Sequence, residues 1–140
     1  MAAIRIMGLD VGDKRIGVAL SDPLGITAQR LALLKRRNAV GDVDAVRALA
    51  AQHAVSTIVI GLPLTLRGET GPQAKKVEAF AEALRRRTDV PVEFVDERLT
   101  TAQGERALLE TGASRKQRKA AIDQVAAQLI LQQFLDRRRP

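Results

Sequence analysis

The sequence predicts an α/β fold, and three observations carry that prediction. Apolar residues alternate at period two through the first part of the chain. Two short, nearly continuous apolar runs, Val55 to Gly61 and Pro91 to Val95, each follow a stretch of helical period, the pattern of parallel strands reached by crossovers. The remainder is helical in period. The expected order is three strands, then helix, strand, helix, strand, helix, helix, in a single domain spanning residues 1–140.

Ile4-Arg5-Ile6-Met7 leads into Gly8-Leu9-Asp10-Val11-Gly12, and Ile16, Val18 and Leu20 follow at period two, so two strands are joined by a tight reversal. The first strand ends on a carboxylate. Held by the rigid centre of a sheet, Asp10 is well placed to hold a metal or a phosphate. Ordinary turn chemistry also accounts for Asp10 and Asp13, with Gly12 supplying a positive φ. Asp22-Pro23-Leu24-Gly25 is a turn signal, and Ile26 to Leu34 then runs as a third strand antiparallel to the second.

From Asp42, the residues Val43, Val46, Leu49, Ala50 and His53 recur on one face of a helix. His53 is the single histidine, and its place at the end of the apolar stripe gives it a structural role. After the strand ending at Gly61, Leu62 to Pro72 is a Gly- and Pro-rich loop at a carboxyl strand end, where open α/β sheets place ligands. Pro72 opens a helix with Val77, Phe80, Ala81 and Leu84 on one side. Arg85-Arg86-Arg87 closes it as a solvated end that offsets the macrodipole.

The strand ending at Val95 runs into Asp96-Glu97-Arg98-Leu99-Thr100-Thr101. Thr100 and Gln103 form a capping box, which puts Glu97 just ahead of a helix reaching about residues 110–112. Arg115, Lys116, Arg118 and Lys119 make the densest basic patch. Ser114 caps a last helix that runs through Asp123 to about Leu135, with Ile122, Val125, Ala126, Leu129, Ile130 and Phe134 inward. Asp123 falls inside that apolar sector. A carboxylate there requires a cationic side chain or a metal.

Hydrophobic residues make up 46% of the chain, enough for a folded core, while a net charge of +7 points to a polyanionic partner, nucleic acid first. Aromatics are 2%, all Phe, so the stacking platforms of single-strand binders are nearly absent and phosphates and shape must be what is held. With no cysteine there is no thiolate metal site and no disulfide framework. The first residues read as a strand rather than a signal peptide, and no segment has the length of a membrane span, so a cytoplasmic protein is expected.

Four motifs in order, Gly8-Leu9-Asp10-Val11-Gly12 with Lys14, Ile16-Gly17-Val18-Ala19 and Ser21-Asp22, then Gly61-Leu62-Pro63, then Asp96 to Thr101, then Asp123 with Ala126-Ala127 and Ile130-Leu131-Gln132, resemble the YqgF family of RuvX-like Holliday junction resolvases and precursor 16S rRNA nucleases. The resemblance implies a ribonuclease H-like fold with a five-stranded mixed sheet flanked by helices. It implies a cytoplasmic nuclease acting in maturation of the small-subunit ribosomal RNA precursor, or on branched DNA. By the same resemblance Asp10, Glu97 and Asp123 form the acidic triad, holding Mg²⁺ or Mn²⁺ through oxygen ligands. Lys14, Arg67, Arg98, Arg115, Lys116, Arg118 and Lys119 are then the phosphate contacts. Where the family commonly reads Asn-Met-Asp-Gly-Ser after Gly-Leu-Pro, this chain has Thr65-Leu66-Arg67-Gly68-Glu69 after Leu64.

Two other classes share part of this pattern. Actin-like and sugar-kinase ATPases share an Asp-x-Gly followed by a strand, but they close two such domains around a nucleotide and 140 residues hold one. A non-catalytic RNA-binding assembly factor would keep the basic surface, yet three acids facing a phosphate backbone weaken binding unless metals offset them.

Overall fold

The computed structural model describes residues 5–97 and 114–138, with side chains throughout except those of residues 115–124. The elements are β1 (Ile6–Val11), β2 (Arg15–Ser21), β3 (Ala28–Lys35), α1 (Ala39–Gln52), β4 (Thr57–Leu62), α2 (Pro72–Arg85), β5 (Val92–Asp96) and α3 (Arg115–Arg138). The sheet has five strands in the order β3-β2-β1-β4-β5. Strands β1, β2 and β3 form an antiparallel meander, and β4 and β5 are added parallel to β1, so the sheet is mixed as expected. The helix expected from Thr100 to about residues 110–112 lies outside the described residues.

Period-two alternation sorts each central strand onto two faces. Met7, Leu9 and Val11 of β1, Ile16 and Val18 of β2, and Ile58 and Ile60 of β4 pack with Val43 and Val46 of α1 and Val77 and Phe80 of α2. The alternate residues Ile6, Ala19, Val59 and Val95 pack beneath Ala127, Ile130, Leu131 and Leu135 of α3. Helices therefore cover both faces.

Two boundaries and the conformation of one turn glycine differ from the sequence reading, each for a local reason. The Asp22 carboxylate accepts hydrogen bonds from the backbone of Ile26 (2.7 Å) and Thr27 (2.8 Å), so the turn extends and β3 begins at Ala28. Asn38 caps α1 by accepting from Gly41 N at 2.8 Å, which starts the helix at Ala39, ahead of Asp42. Gly12 is not among the described glycines with positive φ, which are Gly25 and Gly68. Its lack of a side chain serves close approach instead, because a Cβ there would lie 3.0 Å from Arg15 O.

The inward face of α3 also differs. The buried set is Ala127, Ile130, Leu131 and Leu135, whereas Val125, Ala126 and Leu129 are only partly buried. Apolar residues occur on every side of this helix, so periodicity alone could not choose among them. What selects the face is the sheet below: a Cβ on Gly8 would lie 2.7 Å from Leu131 Cβ and 3.0 Å from Ala127 O, and one on Gly17 would lie 3.5 Å from Ala127 Cβ. The glycines let the helix backbone approach, and small Ala127 fits there. His53 is the C-terminal cap residue of α1, in keeping with its expected structural role.

Candidate active site

Asp10 is the fifth residue of β1, on the face where Ile6 and Gly8 meet α3. Glu97 follows β5 directly, and counting in twos from Val95, which packs on the same face, puts its side chain there too. Its backbone N–H donates to Leu62 O at 3.1 Å, continuing the β4–β5 ladder past the strand end. Both residues thus stand at the carboxyl ends of parallel strands, separated laterally only by β4.

The β4 residue between them is Gly61. A Cβ there would lie 3.3 Å from Glu97 Cδ and 2.9 Å from Ile130 Cγ1. Without one, the Glu97 side chain reaches across β4 and hydrogen-bonds Asp10. Burial, the Asp10 charge and that hydrogen bond all favour the protonated acid, raising the Glu97 pKa to about 7. Near neutral pH the pair therefore shares a proton, the behaviour of two carboxylates held closer than their charges allow.

Asp123 lies on α3, with its side chain outside the described set. The helix path locates its backbone. Leu131 sits over Gly8, and Ala127 sits beside Gly17, the cross-strand partner of Asp10. Four helical residues rise about 6 Å and two strand residues about 6.6 Å. Going back along α3 therefore keeps pace with going forward along β1. Asp123, four residues before Ala127, stands one turn further toward the carboxyl ends of the strands.

Of the other expected contacts, Lys14 and Arg67 have described side chains near this end. Lys14 is exposed in the β1–β2 turn, and Arg67 is exposed in the loop after β4. That loop closes on itself: Thr65 N donates to Glu69 O (2.9 Å), Gly68 N donates to Thr65 O (2.8 Å), and Gly68 adopts φ +80°. Arg98 lies outside the described residues. Arg115, Lys116, Arg118 and Lys119 occupy the start of α3, their side chains outside the described set.

Sequence reasoning missed the spacer role of Gly61 and a clamp behind the Asp10 hairpin. Arg36 Nε donates to Asp42 at 2.8 Å, Arg36 Nη1 to Gly12 O at 2.7 Å, and Arg36 N to Lys14 O at 2.9 Å. Its guanidinium also lies 5.6 Å from the Phe80 ring centroid. The hairpin turn that follows Asp10 is thereby tied to α1 and α2. Asp42 as an acid in the first turn of a helix directly after Arg36-Arg37-Asn38 was the available signal. Ser21, Gln128 and Gln132 also prove structural: Ser21 Oγ accepts from Ile6 N at 2.9 Å, and the two glutamines bond the backbone at the start of β3.

Comparison with known proteins agrees with this architecture. The family described as RuvX, Holliday junction resolvase, matches residues 4–137. A Moorella thermoacetica protein named "Putative pre-16S rRNA nuclease" is 54% identical over 134 residues, covering 96% of each chain. A Clostridium acetobutylicum protein of the same name is 47% identical over 133 residues, covering 95% of this chain and 98% of its own. Among solved structures, Thermus thermophilus RuvC in complex with a Holliday junction substrate aligns over 96% of this chain and 95% of its own, with a TM-score of 0.55 at 18% identity. The fowlpox virus Holliday junction resolvase aligns with a TM-score of 0.55 at 12% identity, covering 96% of this chain and 99% of its own. At such identities these two likenesses concern the fold, which is the ribonuclease H-like one. Matched nearly end to end, with Asp10 on β1, the Gly61 spacer and the Asp10–Glu97 pair in one ribonuclease H-like frame, the chain belongs to the RuvX family.

Proposed function

We propose that this protein is a divalent-metal-dependent nuclease that processes the small-subunit ribosomal RNA precursor in the cytoplasm, with Asp10, Glu97 and Asp123 as its acidic triad. The observation that carries the reading is the Asp10–Glu97 carboxyl pair, brought together across bare Gly61 at the carboxyl ends of β1 and β5. The names of the relatives support RNA as the substrate. No helix among the described residues is long and apolar enough to cross a membrane.

The donor set fits a hard divalent cation. Carboxylate oxygens suit Mg²⁺ or Mn²⁺, and two acids pressed together in a partly desolvated place are stabilised when a cation replaces their shared proton. Asp10 and Glu97 would hold the ion, with Asp123 completing the set from α3. A bound Mg²⁺ or Mn²⁺ would supply positive charge at the scissile phosphate and acidify the attacking water.

The chain's own residues orient the rest. Gly61 leaves room for Glu97 to reach Asp10, the Arg36 clamp holds the turn carrying Lys14, and Lys14, Arg67, Arg98 and the Arg115 to Lys119 patch neutralise phosphates around the scissile bond. With so few aromatics, binding rests on phosphate neutralisation and falls steeply with salt.

The test is incubation of purified protein with structured precursor RNA, single-stranded RNA and four-way DNA junctions, in Mg²⁺, Mn²⁺ or EDTA, with Asp10→Asn alongside. Metal-dependent cleavage of the precursor RNA that Asp10→Asn abolishes is the expected result. Cleavage confined to the DNA junction would reassign the substrate, and binding without cleavage in any metal would make the protein a non-catalytic factor.

A further inference from the structure

Four arginines gather at the end of the molecule opposite the carboxylates. There Arg47 of α1 and Arg85, Arg86 and Arg87 at the end of α2 line a groove of about 600 Å³ that also includes buried Ala50 and Val55. Among the lining residues only Asp89 is acidic. Arg85 serves the fold: it donates to Val92 O at 2.7 Å and lies 5.1 Å from the Phe94 ring centroid. The other three are exposed, at 44% for Arg47, 76% for Arg86 and 43% for Arg87.

The macrodipole of α2 accounts for basic residues after its last turn, but not for Arg47. The last turn of α1 holds no basic residue, and Arg47 lies before it. Asp44 draws Arg47 and Arg87 together from two helices, at 3.4 and 3.0 Å, so that both guanidiniums stand at one groove. An exposed pair of this kind adds little stability. Its consequence is a fixed placement of two guanidiniums at the groove, with Asp44 offsetting one of their charges and Glu82 pairing with Arg86 at 3.7 Å, all of them exposed where a phosphate can compete for the arginines.

The groove includes Val55, just ahead of β4, and Val90, just ahead of β5, so it lies at the amino ends of strands whose carboxyl ends carry the acids. The six residues of β4 separate the two regions by roughly 20 Å. We propose that this arginine groove is a second binding surface for RNA, holding the phosphate backbone of an arm or segment remote from the bond that is cleaved. The proposal rests on the nuclease reading for its choice of RNA. Its lining has no aromatic residue for base stacking, so recognition there is of backbone charge and independent of sequence.

The test measures binding in EDTA, so that the result does not depend on turnover. Two RNA hairpins are compared, one long enough to span both regions and one too short to do so. Arg47→Gln/Arg86→Gln/Arg87→Gln changes exposed side chains and leaves Asp44 in water. It should weaken the long hairpin about tenfold and lower the slope of log K against log salt by about 2 for three lost contacts, with the short hairpin unchanged. The corresponding triple Lys variant should restore most of the affinity. Asp89→Asn should tighten the long hairpin alone. Wild-type affinity and salt slope in the triple Gln variant would overturn the proposal, as would equal weakening of both hairpins, which signals only a diffuse field. If wild type cleaves no RNA while the groove variant still loses the long hairpin selectively, the nuclease reading fails and the groove stands.

Discussion

The carboxyl group of Glu97 is hydrogen-bonded to that of Asp10 although the two side chains leave different strands with β4 between them. Two ionised carboxylates cannot form such a bond, so one must carry the proton. Burial and the Asp10 charge assign it to Glu97, which is held near 7 against an ordinary 4.5.

That proton sets a pH dependence of definite sign. The folded state retains it where the unfolded chain has released it, so the stabilisation is complete below about pH 4.5 and is lost as pH rises through about 7. Without metal, wild type should lose melting temperature across this window relative to Glu97→Gln. Mg²⁺ or Mn²⁺, displacing the proton, should raise the melting temperature more at about pH 8 than at about pH 6. Melts of both proteins across pH, with and without metal, check this. Parallel curves and no metal shift would mean that the pair is structural.

Gly61 separates stability from activity. In Gly61→Ala the new methyl overlaps Ile130, which is fully buried and cannot swing into solvent, and it crowds Glu97 Cδ at 3.3 Å. Overpacking of this sort costs about 1–3 kcal/mol. Adding Ile130→Val should recover part of the stability by removing the Cδ1 methyl. Nuclease activity should stay low in the double variant, because the pressure on Glu97 remains. Recovery of activity in step with melting temperature would show that Gly61 matters only for helix packing.

Asp42 gives a stability effect of opposite sign at acid pH. Burial pushes its pKa up, but the hydrogen bonds from Arg36 and Arg37 N and the two positive charges outweigh this and hold it below the ordinary 3.8. Its contribution is therefore present above about pH 4 and lost as pH falls through the lowered value. Asp42→Ala strands Arg36 Nε and Arg37 N and should cost about 1–3 kcal/mol near neutrality. Urea titrations of wild type and variant should converge as pH falls through the lowered Asp42 value, below which both lack the charged partner.

The parts of the fold that follow from local pattern were legible in the chain. Period-two alternation from Ile6 to Leu20, the apolar runs of β4 and β5, and Pro72 opening α2 each express one residue's immediate geometry. What the sequence concealed were relations between elements. Spacing could name Asp10 and Glu97 as acids at strand ends, but their meeting depends on β4 lying between β1 and β5 and on Gly61 being bare. The inward face of α3 was misjudged because its apolar residues encircle it, and only Gly8 and Gly17 below decide which side approaches. Arg36 carries no motif of its own in the sequence. Of its partners only Asp42 is near in sequence; Gly12 and Phe80 come from a distant turn and helix, which no local pattern exposes.

The position of α3 along the sheet should govern catalysis through Gln132. Its Oε1 accepts from Ala28 N at 2.9 Å, and its Nε2 donates to Ile26 O at 3.0 Å and to Asp136 Oδ1 at 2.9 Å. Gln128 adds a bond from Nε2 to Ala28 O at 3.0 Å. These bonds fasten the helix lengthwise to the start of β3, whereas the apolar contacts of Leu131 and Leu135 resist separation more than sliding. Gln132→Leu keeps the size of the side chain but leaves the partly buried Ala28 amide unpaired, a loss of about 1–2 kcal/mol. In the proposed triad Asp123 rides on the same helix, so a small lengthwise shift would change its distance to the Asp10–Glu97 pair, and tight positioning is what a carboxylate metal site requires. The expected outcome is a kcat reduced about tenfold or more with RNA affinity in EDTA unchanged, and faster hydrogen exchange at the Ala28 amide. A variant that exchanges faster there yet keeps wild-type kcat would mean that the close fit of Ala127 and Leu131 over Gly8 and Gly17 fixes the helix unaided.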